Sequence, residues 1–432
     1  MSMGRQRLGY IAAATLPLAY LACANVDNST TSEPAGKVEL FSWWISGGED
    51  DALNAALGVH KQKYPNVDVV NLTGKNATVA RDQLVLRMQR GNPPDSFQVN
   101  IGEDLMKWVK SNGIDATESP LQPIDSIVSK DVFYPLLVDQ ASAGGAFYAV
   151  PMNVHRINSL FYNKHVFASL GIDEPKEGMT LEEFNQLCAL IKSQGPVPLA
   201  LGNKGKWTLP ELVFEDILPG IAGAKYYEEF WRGKRKSSDP ELAATLKEAL
   251  LLSGYFNAKT DELDWQDALD LIYLGFAAMG AMGDWAKGYF ESKNWTADVD
   301  FGVIQFPGQY PVFVYTADSF PLPINDAPSH DLAAQLLQTF ASVESQVEFN
   351  KFKGSIPARS DIDLALYPDS FDAMHQRTYQ AFQTEDRALA MSGLLPSGLM
   401  NDLDTTLRDS LAQGTGTLIQ LYLDKNYATL NR

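Results

Sequence analysis

The sequence predicts an α/β fold of two lobes on three observations. Short apolar strands and helical patterns alternate from Val38 to Asn100, helical patterns with occasional strands fill roughly 180–294, and extended segments near Pro151 and Phe313 are placed to carry the chain between lobes. A chain of 432 residues with 45% hydrophobic content is long enough for two or three cores.

Val38 and Leu40 alternate as in a strand, which runs through Phe41-Ser42 into Trp43-Trp44. Adjacent strand residues face opposite sides, so a core role accounts for one of these two rings and leaves the other to a different partner. Gly47 and Gly48 permit a tight turn, and Glu49-Asp50-Asp51 favours a helix start with Leu53, Ala56 and Leu57 on one face. A helix-capping Glu49 beside a core tryptophan pair is the bland reading. The sharper one is a flat aromatic face next to a carboxylate at the carboxyl end of a strand, an arrangement suited to a sugar, whose ring offers apolar C–H patches and whose hydroxyls donate to acceptors.

Tyr64-Pro65 ends the first helix, Val67, Val69 and Val70 read as a second strand, and Gln83, Leu86 and Arg87 belong to a second helix. Gly91-Asn92-Pro93-Pro94-Asp95 then leads into Ser96–Asn100, a third strand, which completes β-α-β-α-β and calls for a mostly parallel sheet with helices on both faces. Gln98 and Asn100, two apart, point the same way at that strand's end and offer paired amides, or are edge polarity. Gly144-Gly145 precedes two extended segments around Pro151. His155 has no Ser or Cys nucleophile motif beside it, so a structural or ligand-bonding role is expected rather than catalysis.

Thr180 and Glu183 form a capping box for a helix with Phe184, Leu187, Cys188 and Ile191 on its core face. The strand Pro196–Gly202 runs into a Gly-Asn-Lys-Gly loop followed by Trp207, and Trp265, Ala268, Leu269 and Ile272 mark an amphipathic helix. Next, Ala277–Gly283 delivers Asp284 and Trp285 to a glycine-marked turn, a second pairing of acid and aromatic that core packing explains less readily than one. Phe301–Phe306 is a strand, Phe313–Leu322 with Asp318 crosses between lobes, Asp331–Phe349 is a helix, and Lys351–Arg359 is a cationic turn near a third crossing.

The formal charge of −18 argues against nucleic acid or an anionic membrane as partner. None of the five histidines and two cysteines has zinc-site spacing, so neither a metal nor a cofactor is expected, and no internal disulfide is expected. Residues 1–24, with Arg5, Arg7 and the apolar run Ile11–Leu21, have the layout of an export signal, and 25–37 reads as a polar tether. Cys23 stands where a lipoprotein would be acylated, while Ala22-x-Ala24 also reads as a plain cleavage site. The chain is therefore expected in the periplasm or on the outer face of the cytoplasmic membrane, with a lipid anchor as the favoured of the two readings.

Taken in order, Phe41-Ser42-Trp43-Trp44, Asn92-Pro93-Pro94-Asp95, Tyr148-Ala149-Val150-Pro151, Met282-Gly283-Asp284-Trp285 and Lys353-Gly354-Ser355-Ile356-Pro357-Ala358-Arg359 resemble the family 1 extracellular solute-binding proteins of bacterial ABC sugar importers, and within them the glucose-binding branch. The resemblance runs from Lys37 to near the C-terminus. It implies the periplasmic-binding-protein (Venus flytrap) fold, with 38–149 and 312–360 in an N-terminal lobe, 150–311 and 361–432 in a C-terminal lobe, and hinge strands beside a central cleft. It further implies a monomer that binds a monosaccharide such as glucose and serves a membrane permease, with ligand contacts from Trp43, Trp44, Glu49, Gln98, Asp284, Trp285 and Lys353. Asn100, His155, Trp207 and Asp318 join them as candidates. Two features depart from that branch: Asn100 stands where it has His, and the loop Ile45–Asp51 is one residue longer. The rival from another class is a secreted glycosidase using two of Glu49, Asp284 and Asp318, but no glycosidase signature accompanies them and no enzymatic activity is expected. A sugar sensor for a membrane receptor would use the same cleft.

Overall fold

The computed structural model describes residues 35–73, 77–110, 119–325, 327–395 and 398–430. The expected export signal, Cys23 and most of the tether lie outside them. The first strand, Gly36–Phe41, sits between Val67–Asn71 and Ser96–Phe97 in a parallel sheet, and the helices Gly47–Lys63 and Ala77–Gln89 make the two crossovers. Parallel neighbours need such crossovers, which is why the alternation of patterns was readable as a parallel sheet. The third strand differs from expectation: it stops at Phe97, and Val99–Asn100 joins another sheet, antiparallel to Asp318–Pro323. Gln98 is the joint, its N–H still donating to Phe41 O at 2.7 Å while its side chain turns to other partners.

A second, mixed sheet runs in the order Val197–Ala200, Ala277–Ala281, Ser159–Asn163, Phe301–Gln305. Leu160 and Tyr162 pack into one apolar core and Phe161 into another on the opposite face, the two-residue alternation of a strand covered on both sides. Helix Leu181–Gln194 closes one of those cores with Phe184, Cys188 and Ile191, and burial pushes the Cys188 thiol up. Its capping box forms as expected: Glu183 N–H donates to Thr180 Oγ1 at 3.2 Å and Thr180 N–H to Glu183 Oε2 at 2.8 Å. Helix Trp265–Tyr273 buries Ala268, Leu269 and Ile272 as its spacing predicted. The single helix expected over Asp331–Phe349 is instead two, His330–Phe340 and Val343–Lys353, because Ser342 accepts a bond from Ser345 N–H and caps a new start.

Between the cores lies a third sheet, in the order Ile356–Pro357, Asn153–Arg156, Val312–Thr316, Asp386–Leu389. Its strands divide their side chains: Phe313 and Tyr315 enter the core of the first lobe, Val312 and Val314 that of the second. Core membership moves two passages relative to expectation. Val150, Met152 and Val154 belong to the first core, and so do Ile362, Leu364, Phe371 and Phe382, while Met374 packs in the core around Phe161 and Ala388 and Ala390 in that of Leu160. Phe382 is held in the first core by an edge-on contact with Tyr134, ring centroids 5.0 Å apart. Among the described residues no helix is long and apolar enough to cross a membrane.

Replacing Thr180 by Ala removes one half of the capping box and should lower stability by about 1 kcal/mol, read as a lower urea midpoint at unchanged slope.

Candidate functional site

The site begins where the strands of the first sheet end. Ser42 N–H donates to Asn71 Oδ1 at 3.0 Å and Asn71 Nδ2 donates back to Ser42 O at 2.9 Å, so the end of the neighbouring strand fixes the loop carrying the tryptophans. Gln98 reaches the same loop from the other side, its Oε1 accepting from Ser42 Oγ at 2.7 Å and from Trp43 N–H at 3.1 Å. The two rings then part, as expected, but both lie past the strand end at Phe41, so the course of the loop and not strand alternation separates them. Trp44 is 1% exposed and packs on Phe349 and Phe320 with centroids 4.8 and 5.7 Å away, a core position, while Trp43 stays half-buried at the edge of that core.

From Gln98 the contacts run on to charged groups. Gln98 Nε2 donates to Asp318 Oδ1 at 2.7 Å, and the other carboxylate oxygen lies 3.0 Å from Asn153 Nδ2 and 3.1 Å from His155 Nε2. Asp318 N–H donates to Asn153 Oδ1 at 2.8 Å, which fixes the amide so that its Nδ2 faces His155 and Asp318. On its far side His155 Nδ1 bonds Asp284 Oδ1, and Asp284 Oδ2 accepts from Arg156 N–H at 2.9 Å. Asn153 and His155 meet the same carboxylate because they stand two apart on one strand. Asn100 pairs with Asp318 in the antiparallel register.

Aromatic rings and a buried ion pair flank this chain of contacts. Trp285 meets the His155 ring edge-on with centroids 5.2 Å apart, and Trp207 lies 6.0 Å beyond. Lys353 is 2% exposed, bonded to Glu49 Oε1 at 2.8 Å, with its ammonium 5.6 Å from the ring centroids of both Trp44 and Trp285. Gly354 ends the lysine's helix at φ +88, and a Cβ there would come within 2.5 Å of Asp284 O, so the turn needs glycine on both counts. All eleven candidate residues thus fall on one connected set of contacts, from Trp43 to Trp207. Ser42, Asn71, Asn153 and Arg156 were missed. Of these, Asn153 was findable, by its spacing of two from His155.

Burial works against ionising Asp318, yet its bonds to His155 and Asn153 and the charges of His155 and Lys353 outweigh that and pull it down to about 2. Burial also opposes protonating His155 and Lys353 repels it, but the Asp284 charge and bonds to Asp284 and Asp318 hold the ring above its ordinary value. The arrangement presents fixed acceptors and aromatic faces. Among the described residues no group of acidic, His or Cys side chains is placed to hold a metal.

A family model of bacterial extracellular solute-binding proteins matches residues 46–347. The chain belongs to that family. An uncharacterised ABC transporter extracellular-binding protein of Pyrococcus horikoshii is 33% identical over 389 residues, 88% of this chain and 85% of the relative. A xylose/arabinose-binding protein of Haloferax volcanii is 27% identical over 342 residues, 77% and 72% of the two chains. A glucose-binding protein of Saccharolobus solfataricus is 26% identical over 354 residues, 77% and 62% of the two chains. Among solved structures, the bacterial solute receptor AcbH, described as preferring β-D-galactopyranose, superposes with a TM-score of 0.78 at 20% identity, covering 92% of this chain and 100% of the receptor. The two-lobe periplasmic-binding-protein fold predicted from the sequence is the fold observed.

Because Asp318 is held near 2 against about 3.9 in an unfolded chain, its contribution is full above about pH 5 and is lost as pH falls through 2. Urea unfolding of Asp318→Asn beside the wild type should show a difference on the order of 2 kcal/mol at pH 5 that shrinks steeply between pH 4 and pH 2.

Proposed function

We propose that the protein binds a sugar, a monosaccharide such as glucose before longer chains, in the cleft between its lobes and delivers it to the permease of an ABC importer. The observation that carries this reading is the convergence at His155 of Asp318, held by Gln98 from between two strands of the first lobe, with Asp284 and Trp285, which follow a strand of the second sheet. Buried acceptors between aromatic faces fit a pyranose, whose hydroxyls donate while its C–H faces stack. The family membership supports solute binding, and relatives at 26–27% identity carry names for xylose/arabinose and glucose binding. Asp284 and Asp318 are both committed to His155, which favours recognition over an acid and base pair for hydrolysis.

The lobes of this reading follow the cores: 38–154 with 317–385 on one side, 157–311 with 390–430 on the other, and the dividing sheet as hinge. Ligand that touches both sides favours closure, which is what a membrane partner distinguishes. Export through residues 1–24, acylation at Cys23 and action as a monomer complete the proposal.

Thermal shifts and calorimetry across mono- and disaccharides test it, since stabilisation follows ligand concentration over its dissociation constant. Binding of glucose, galactose, mannose or xylose is expected. Binding of maltose or longer chains with none of these would overturn the monosaccharide assignment, and no sugar binding at all would overturn the function. Asp284→Ala should fold and bind the sugar weaker by about 1.5–3 kcal/mol, whereas unchanged affinity would remove Asp284 from the site.

A further inference from the structure

His155 occupies a place that sugar recognition alone does not explain. It stands on Asn153–Arg156, a strand of the dividing sheet, and is 2% exposed. Its two ring nitrogens face carboxylates from different parts of the chain, Asp284 on Nδ1 and Asp318 on Nε2. A neutral imidazole has one N–H to give: with its proton on Nδ1 it would bond Asp284 and take the Asn153 amide as a donor on Nε2, leaving Asp318 without the ring, whereas the imidazolium donates to both carboxylates. The other groups around the ring are the Asn153 amide, 2.9 Å from Nε2, the Trp285 edge, and Lys353, whose ammonium is paired with Glu49. Among the described residues the ring is the cationic group in direct contact with both carboxylates, with the Lys353 charge acting on Asp318 from further away. Asp284 follows the strand Ala277–Ala281 of the second sheet, and Asp318 opens the strand whose Phe320 packs in the first core.

Resting on the sugar-binding reading above, we propose that His155 is a protonated clasp between the lobes: its imidazolium joins Asp284 to Asp318 in the closed form, so that closing on sugar takes up a proton. Opening separates the two carboxylates and leaves the ring at most one of them. The clasp is a positioning device, since it acts on the sugar through the carboxylates it orients.

The sign follows from the raised value of the buried ring. A proton held more tightly in the closed form favours closure fully below the open-state value, near 6.5 for an ordinary imidazole, and the advantage is lost as pH rises through the closed-state value. Sugar affinity should therefore fall across the alkaline side of neutrality, by at most about tenfold per pH unit, the limit for one linked proton.

Calorimetry of sugar binding in two buffers of different ionisation enthalpy, between pH 6 and 9, reads the proton directly. Wild-type protein should take up a fraction of a proton on binding above pH 7, and His155→Gln should bind more weakly, with no uptake and a flat pH profile. Absence of uptake in the wild type, or the same uptake in His155→Gln, overturns the clasp, and if His155→Gln fails to fold the wild-type measurement decides alone. If no sugar binds at any pH, the ligand reading falls, and the clasp is judged by the nitrogen spectrum of ¹⁵N-histidine-labelled protein whose scattering curve matches the closed structure. A His155 ring that is imidazolium at pH 7 supports the clasp, and a neutral one overturns it.

Discussion

Two buried carboxylates on either side of one imidazole ring are the constraint around which the centre of this molecule is built. Asp284 and Asp318 are each almost fully buried, and burying a carboxylate without partners costs far more than a domain's net stability can absorb. Each is therefore surrounded by donors: Arg156 N–H on Asp284, Gln98 and Asn153 on Asp318, and His155 between them. Those donors are fixed in turn. Gln98 is held by Ser42 and Trp43, and Asn153 by Asp318 N–H. Removing any one partner leaves a charged group short of a bond inside the protein, where the penalty is greatest.

The same polar chain explains where the glycines and the ion pair sit. Asp284 and Trp285 come off a turn in which a Cβ on Gly283 would lie 2.1 Å from the indole, and Gly354 lets the helix end at Lys353 come against Asp284 O. Close backbone approach draws Lys353 into the space between Trp44 and Trp285, where Glu49 neutralises it. Acceptors, rings and a paired cation are thus brought into one neighbourhood by backbone contacts and not by long flexible side chains.

Much of this was legible in the sequence, and what was not has physical reasons. Local rules carried the parallel β-α-β-α-β start, the Thr180 capping box and the face of helix Trp265–Tyr273, because each depends on spacing within a few residues, whereas Trp43 and Trp44 part on a loop beyond the strand whose alternation predicted it. The split of the third strand at Gln98 depends on pairing with Asp318, 220 residues away, and cannot be seen in Ser96–Asn100 alone. The passage Ile362 to Phe382 was read as second lobe because the glycine-proline turn after Lys353 looks like an exit, and its side chains divide: Ile362, Leu364, Phe371 and Phe382 pack in the first core and Met374 in the core around Phe161. The candidate site was legible as a set of residue types, aromatic beside acid in two places. The role of His155 was not, since a lone histidine gives no hint that carboxylates 129 and 163 residues downstream will meet its two nitrogens.

If the acceptors on both sides of the dividing sheet meet one ligand, as proposed, that ligand binds the closed form better than the open one. Moving a protein from 1% to 99% closed takes about 5.5 kcal/mol of differential binding, which a few hydroxyl bonds and ring stacking supply. Small-angle scattering with and without saturating sugar measures this directly: a smaller radius of gyration in the bound protein is expected, and superimposable curves at high sugar affinity would contradict closure on ligand.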